Sequence, residues 1–253
     1  MYCQESLEAD YAFDPDDLDV LGDGATGVVW RATERTTRRS VAIKQVTDSA
    51  NTRSCLELQR NAPFINGIVR VEKIYTDKPG VLALVMPVAQ GMDLDRTIGI
   101  TEQELSVIVR RVLYMLTQLH SCGIVHGDIK PENIVWCRAT HTASLVDHDY
   151  WRLASVPVTN RIVSTEAYFP SDTGVSASAS VIAGCEIDIW ALGLTVYALL
   201  EDAIPLGQIE FKRIINPATR DFIRRALAPK DTRATAAQLL THPFVTRSRS
   251  SSV

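Results

Sequence analysis

Cysteine is scarce: five residues in 253, at positions 3, 55, 122, 137 and 185, none in a C-x-x-C pair. An odd, widely spaced set excludes a disulfide framework and a structural zinc site, and it predicts a reduced, intracellular setting. Positive charge is not in excess either. Lys and Arg number 26 against 30 Asp and Glu, a net charge of −4, which gives no reason to expect a nucleic-acid partner. The basic pairs Arg38-Arg39, Arg110-Arg111 and Arg224-Arg225 are scattered and read as solvated faces. Long apolar runs are missing as well. The longest, Ile189 to Leu200, is too short to span a bilayer and reads as a buried helix. The acidic start, Met1 to Glu5, has neither the apolar stretch of a signal peptide nor a myristoylation glycine, so no membrane partner is expected. Oligomeric state is left open. What remains is a soluble chain, 46% hydrophobic, long enough to bury a sizeable core as one large domain or as two lobes sharing a cleft.

The densest chemistry is the stretch His126-Gly127-Asp128-Ile129-Lys130-Pro131-Glu132-Asn133, with Asp147 a little further on. It holds a carboxylate able to orient a hydroxyl nucleophile, a carboxamide, and a second carboxylate for a divalent metal. Phosphoryl transfer asks for such parts, because it depends on positioning and charge neutralisation more than on covalent work by the protein. A histidine near an aspartate is common in ordinary loops. The full eight residues followed by Val146-Asp147 are far more specific.

Around this stretch the pattern changes from strand to helix. Residues 1–16 are acidic and are expected to form a loosely held lead-in. Strands are predicted at Leu18 to Leu21, Val28 to Ala32, Val41 to Val46, Ile68 to Tyr75 and Val81 to Val88, with a short helix over 51–61. Thr101-Glu102-Gln103-Glu104 reads as a capping box. Leu105, Ile108, Val109, Val112, Leu116 and Leu119 then recur at helical spacing, and Gly123 stops the helix. Further helices are predicted at 186–201, 217–227 and 233–241, and the Ser/Arg tail 246–253 is expected to be flexible. A strand-rich front and a helical back give an α+β, two-lobed layout.

Asp128-x4-Asn133 resembles the catalytic loop of protein kinases, H-R-D-x-x-x-x-N, with Gly127 in place of the arginine. Leu21-Gly22-Asp23-Gly24-Ala25-Thr26-Gly27-Val28-Val29 carries G-x-G-x-x-G; it leads into a strand rather than the helix of a dinucleotide fold, as in the kinase flap. Val41-Ala42-Ile43-Lys44 resembles the V-A-I-K strand. Thr165 to Asp172 resembles T-x-x-Y-x-A-P-E, Asp188-Ile189-Trp190-Ala191-Leu192-Gly193 resembles D-x-W-x-x-G, and Arg233 to Phe244 resembles the closing R-x-T-A…L-L-x-H-P-F. These motifs cover roughly residues 18–245 in order. The chain is identified as similar to a compact eukaryotic-type Ser/Thr protein kinase. The resemblance implies a bilobal domain over 17–245, with a β-rich N-lobe at about 17–88 and a helical C-lobe at about 91–245.

The resemblance also implies ATP, Mg2+, protein substrates and a set of roles. Asp128 would be the catalytic base or hydroxyl-orienting group, and Lys130 would meet the transferred phosphate. Lys44 would grip the α/β-phosphates, held by Glu57 on the 51–61 helix. Gly22, Gly24 and Gly27 would form the flap, and Leu21, Val29 and Ala42 would lie along the adenine. Met86 would be the gatekeeper, Pro87 and Ala89 would offer backbone to the adenine edge, and Val135 would lie beneath it. Asn133 and Asp147 would hold magnesium. Thr165 is counted with the catalytic residues, and Asp172 with Arg233 would form a buried ion pair.

Three departures bear on function. Asp147-His148-Asp149 stands where the family has D-F-G; aspartate tolerates left-handed backbone, so Asp149 is expected to keep the turn, while His148 puts a titratable ring in an apolar position. Asn61, four residues after Glu57, is polar where the family packs an aliphatic side chain, which predicts a loosely docked helix. Gly127 removes the arginine that holds a phosphorylated activation loop, which predicts activity indifferent to phosphorylation there. Two other readings stand beside the kinase: a pseudokinase serving as a binding module, and a small-molecule phosphotransferase of the aminoglycoside or choline kinase type, whose catalytic loop also opens His-Gly-Asp.

Overall fold

The computed structural model describes residues 2–3, 6–13, 19–24, 27–76, 78–157, 166–170, 172, 184–205, 209–214 and 216–246. The chain divides into two compact units, Met1–Asn61 with Val69–Ala89, and Ala62–Ile68 with Gln90–Val253.

The first unit is one twisted sheet with two helices. Its elements are β1 (Tyr2–Cys3), α1 (Leu7–Asp10), β2 (Tyr11–Ala12), β3 (Val20–Gly24), β4 (Gly27–Glu34), β5 (Ser40–Thr47), α2 (Ala50–Asn61), β6 (Lys73–Tyr75) and β7 (Val81–Pro87). Strand order is β1-β6-β7-β5-β4-β2, with β3 also on β4. All pairs are antiparallel except β1 with β6. Alternation sends β5 and β7 side chains to two faces. Val41, Ile43, Ala83 and Val85 pack with Leu7, Tyr11, Ala32 and Tyr75 on one. Ala42, Val46, Leu82, Leu84 and Met86 pack with Leu56, Val71 and Ile74 on the other.

Residues 1–16, expected to be a loose lead-in, instead contribute structure in their described part. Leu7 and Tyr11 are buried, the Tyr11 ring meets Tyr75 edge-on at 5.8 Å, and the Tyr75 hydroxyl donates to Asp10. Leu7 on α1 and Tyr11, the extended residue that caps it and starts β2, enter the same apolar cluster, so the acidic composition around them concealed two apolar anchors. The strand predicted from Ile68 shortens to β6. Ile68 itself belongs to the second unit, where it bridges Leu145.

The second unit is built on α3 (Glu102–Ser121). Its buried stripe of Leu105, Ile108, Val109, Val112, Leu116 and Leu119 joins the main core with α4 (Glu186–Glu201), α5 (Pro217–Ala226), α6 (Ala236–Leu240) and α7 (Pro243–Thr246). Thr101 caps α3 by accepting from the Glu104 amide at 3.1 Å. The Glu104 carboxylate takes the Trp136 indole at 2.6 Å and the Arg138 guanidinium at 2.7 Å, and the Thr101 backbone also hydrogen-bonds to it, the reach-back of a capping box. Two small sheets carry the loop of interest: β8 (Met92–Asp93), β10 (Ile134–Cys137) and β11 (Thr142–Leu145) in the order β11-β10-β8, and β9 (Ile124–Val125) paired with β12 (Arg152–Leu153). Among the described residues no helix is long and apolar enough to cross a membrane.

Candidate active site

In the first unit the glycine stretch is a hairpin of β3 and β4, in register Gly22 with Val29, Asp23 with Val28 and Gly24 with Gly27. Gly27 has φ +138° and lies so close to the Gln45 carbonyl that a Cβ would clash, so the fold itself requires glycine. Gly22 and Gly24 are different. A Cβ there would meet nothing within 4 Å, so their bare backbone leaves room for a ligand's phosphate oxygens to approach.

Lys44 lies on β5 between Val29 and Leu84. Alternation puts it on the face of Ala42 and Val46, whose apolar cluster includes Leu21, Val29, Ala42 and Met86. Lys44 is only 4% exposed. Pro87 ends β7 opposite Val41, and Ala89 follows half-buried.

Glu57 does not join this group. The inward residues of α2 are Cys55, Leu56 and Gln59; Glu57 is exposed, with no partner among the described residues. It is the one acidic residue on α2, so the helix brings no carboxylate to the Lys44 face. Each helical residue turns about 100°, and Glu57 falls just outside the buried stripe. Asn61 is exposed too, so its polarity does not bear on docking; Gln59 does, accepting the Val71 amide at 2.6 Å and, through its carbonyl, the Arg70 guanidinium. Glu57→Gln is therefore expected to leave kcat/KM within about twofold of wild type, as for an ordinary surface change. A tenfold or larger loss in steady-state assays would show that Glu57 turns inward to work.

In the second unit, Asp188 on the first turn of α4 organises the loop after β9. Its carboxylate accepts the amides of His126 and Gly127, each at 2.8 Å, and the His120 ring at 2.9 Å. Asp188 is 1% exposed. Burial alone pushes its carboxyl up, but the His120 hydrogen bond, the nearby His126 and the Gly127 amide together hold it below the usual range. Gly127 has φ +82°, and a Cβ would lie 2.7 Å from the Tyr150 carbonyl. Restoring the family's arginine by Gly127→Arg is thus expected to destabilise by about 1–3 kcal/mol. Thermal melting tests this; an unchanged or raised midpoint would contradict it.

Asp128 is 5% exposed and Asn133 likewise. The Asn133 Nδ2 donates to both the Asp128 carbonyl and its Oδ2 at 2.8 Å, and the Lys130 ammonium lies 3.0 Å from the same Oδ2. The short 3₁₀ turn Pro131–Asn133 sets this spacing, and Val135 follows on β10. With Nδ2 so held, the acceptor oxygen of the Asn133 carboxamide is left to face other groups. Asp147, not Asp149, takes the left-handed backbone at φ +64°, and its Oδ1 accepts the Asp149 amide at 3.3 Å. The ring of His148 meets Trp151 edge-on at 4.9 Å, with His126 beside both. Burial pushes the His126 imidazole down, away from the protonated form.

Thr165 lies outside the described residues. Asp172 pairs with Arg233 at 2.8 Å; the arginine side chain is fully buried and the carboxylate partly so. Arg233 also donates to the Ala228 and Glu186 carbonyls and lies over the Trp190 ring. The motif reading missed His120, whose ring orients Asp188, because one histidine late in a helix carries no local signal.

The protein kinase domain pattern matches residues 16–245. The chain belongs to the protein kinase family. This kinase is 27% identical to mouse calcium/calmodulin-dependent protein kinase type IV over 280 residues, 96% of this chain and 59% of that protein. It is 28% identical to Arabidopsis thaliana mitogen-activated protein kinase kinase 7, covering 94% of this chain and 86% of the relative. The autoinhibited serine kinase domain of the giant muscle protein titin superposes with a TM-score of 0.75 at 21% identity, over 96% of this chain and 82% of that one. The chain thus spans about three-fifths of the length of the mouse relative. Membership gives the α+β kinase fold.

Proposed function

We propose that this kinase transfers the γ-phosphoryl group of ATP to serine and threonine hydroxyls of protein substrates in an intracellular setting. The observation that carries the proposal is the Asp128 cluster: a buried carboxylate with one oxygen fixed by Asn133 and Lys130. Such a group is held ready to orient a hydroxyl and take its proton, and Lys130 offers positive charge beside it. Lys44 would hold phosphate oxygens, with Gly22 and Gly24 leaving the hairpin backbone bare above them, and Leu21, Val29, Ala42, Met86 and Val135 would contact the adenine. Asn133 and Asp147 would hold magnesium, which when bound neutralises charge on the phosphates. Among the described residues no group of three or more His, Cys, Asp or Glu could hold a metal unaided. Magnesium held by one carboxylate and one carboxamide would take its remaining ligands from phosphates and water.

The outward Glu57 favours a second reading, a nucleotide-binding module without turnover. Incubation with labelled Mg-ATP and serine, threonine or tyrosine peptides, or an aminoglycoside, separates the readings. Label on the Ser/Thr peptides, abolished in Asp128→Ala, is expected. Binding without transfer would support the module, and aminoglycoside labelling would overturn the protein substrate.

A further inference from the structure

The basic pair Arg224-Arg225 reads from sequence as a solvated face, but α5 splits it between two surroundings. Arg225 is neutralised one turn back on its own helix by Asp221 at 2.8 Å, and the same carboxylate takes the His242 ring. Arg224 lies on the neighbouring stripe with Arg220, one turn before it. Both guanidiniums lie over the Phe211 ring, Arg220 at 5.5 Å and Arg224 at 5.0 Å from its centroid. Arg220 also donates from Nε to the Ile214 carbonyl. Among the described residues neither of these two guanidiniums meets a carboxylate. Lys212 and Arg213 follow Phe211 and are exposed, and Arg213 has only the exposed Asp202, at 3.5 Å.

The segment carrying Phe211 is firmly held. Glu201, buried at the end of α4, accepts the Lys212, Arg213 and Ile214 amides at 2.9–3.1 Å. The Tyr197 hydroxyl donates to the Glu210 carbonyl at 2.7 Å, and its ring lies 6.0 Å from Phe211. Like charges four apart on a helix repel and destabilise it. Stacking on one ring engages the faces of the two guanidiniums and leaves their N–H edges for oxygen acceptors. The whole chain carries a net charge of −4, so Lys212, Arg213, Arg220 and Arg224 together reverse its sign locally. The spacing is specific as well. Four helical residues rise about 6 Å, and alternate side chains of an extended chain recur on one side at roughly 6.6 Å.

We propose that this face of α5, with the 209–214 segment, is a docking surface for a protein partner that presents an extended acidic segment with carboxylates at alternate positions. Two such carboxylates take the N–H edges of Arg220 and Arg224, and Lys212 and Arg213 extend the positive field beside them. Charge complementarity selects an acidic partner, and two further observations select a protein. A nucleic-acid surface offers free aromatic faces on which bases stack, whereas the Phe211 ring is half-buried and already engaged by both guanidiniums and Tyr197. A lipid surface asks for apolar side chains beside the cations, and no exposed large apolar residue lies on α5. This surface works independently of phosphoryl transfer, and its test needs no ATP.

Binding of a fluorescein-labelled peptide of alternating Glu and Ser to the full chain is read by anisotropy at low and high salt. A peptide of alternating Gln and Ser, single-stranded RNA, and phosphatidylcholine vesicles containing phosphatidylserine are the comparison probes, and calorimetric melting checks folding of each variant. The acidic peptide is expected to bind saturably and to weaken as salt rises. Arg220→Gln with Arg224→Gln should weaken it by about tenfold or more, and Arg225→Gln should leave it unchanged. Arg220→Lys with Arg224→Lys should fall between, because the charge stays and the fork is lost. If the double Gln variant does not fold, Arg224→Gln decides alone, since that exposed side chain meets only the Phe211 ring among the described residues. A pair that serves only to cover Phe211 would lower the melting midpoint and leave peptide binding intact. That result overturns the docking surface, as does absence of saturable binding to folded wild type, equal binding of the Gln peptide, or binding of RNA or vesicles in place of the acidic peptide.

Discussion

Asp128→Asn should lower kcat by about 10³-fold, the central range for removing a positioned base. The KM for ATP should move little, since nothing in the proposed role of Asp128 touches the nucleotide base or its outer phosphates. The substitution keeps the shape of the side chain, and an asparagine oxygen can still accept from Asn133, so the melting midpoint should stay close to that of wild type. What is lost is the charge that attracts a hydroxyl proton and pairs with Lys130 at 3.0 Å. Steady-state kinetics with calorimetry on the same preparation separates these effects. A kcat within tenfold of wild type, on folded protein, would remove Asp128 from the chemistry.

Asp188→Ala should be the most damaging single change to stability. The buried carboxylate satisfies two backbone amides and the His120 ring, and its removal leaves all three without their acceptor. Breaking a buried charged network of this kind costs about 3 kcal/mol or more, which corresponds to roughly 6–12 °C in melting temperature for a domain of this size. Activity should fall with it, because the two amides position the loop carrying Asp128. The pH dependence follows from the sign of the shift. The Asp188 carboxyl is held below its ordinary value in the folded protein, so its stabilisation is fully present above the unfolded value of about 3.9 and fades as pH falls through the lower folded one. Melting of wild type and variant at pH 7 and at pH 3 tests this. A gap below about 1 kcal/mol at pH 7 would mean that the loop is held by other contacts.

Much of this was legible in the residues, and the misses have physical causes. The spacing of Asp128, Lys130 and Asn133 is local, and a single 3₁₀ turn converts it into contact, so sequence alone could place it. The α3 stripe and the Thr101 cap are likewise local. Glu57 failed because a helix face turns on a phase of one residue, which composition does not fix. Leu7 and Tyr11 failed because two apolar side chains in an acidic stretch gain their weight from partners distant in sequence, such as Val41, Tyr75 and Val85. The left-handed residue was expected at Asp149 and lies at Asp147, where the carboxylate turns back to its own loop. Asp188 was visible as the head of a motif, but its three partners were not.

The proposed function requires that Lys44 and Asp147 both act on one magnesium-bound triphosphate. A double-mutant cycle on binding of a non-hydrolysable ATP analogue with magnesium, using Lys44→Met, Asp147→Asn and the double variant, tests it most directly. A coupling of about 0.5–3 kcal/mol between the two substitutions is expected, as for groups meeting through a shared ligand. Binding losses that add to within about 0.5 kcal/mol would contradict it, because residues acting on separate ligands behave independently.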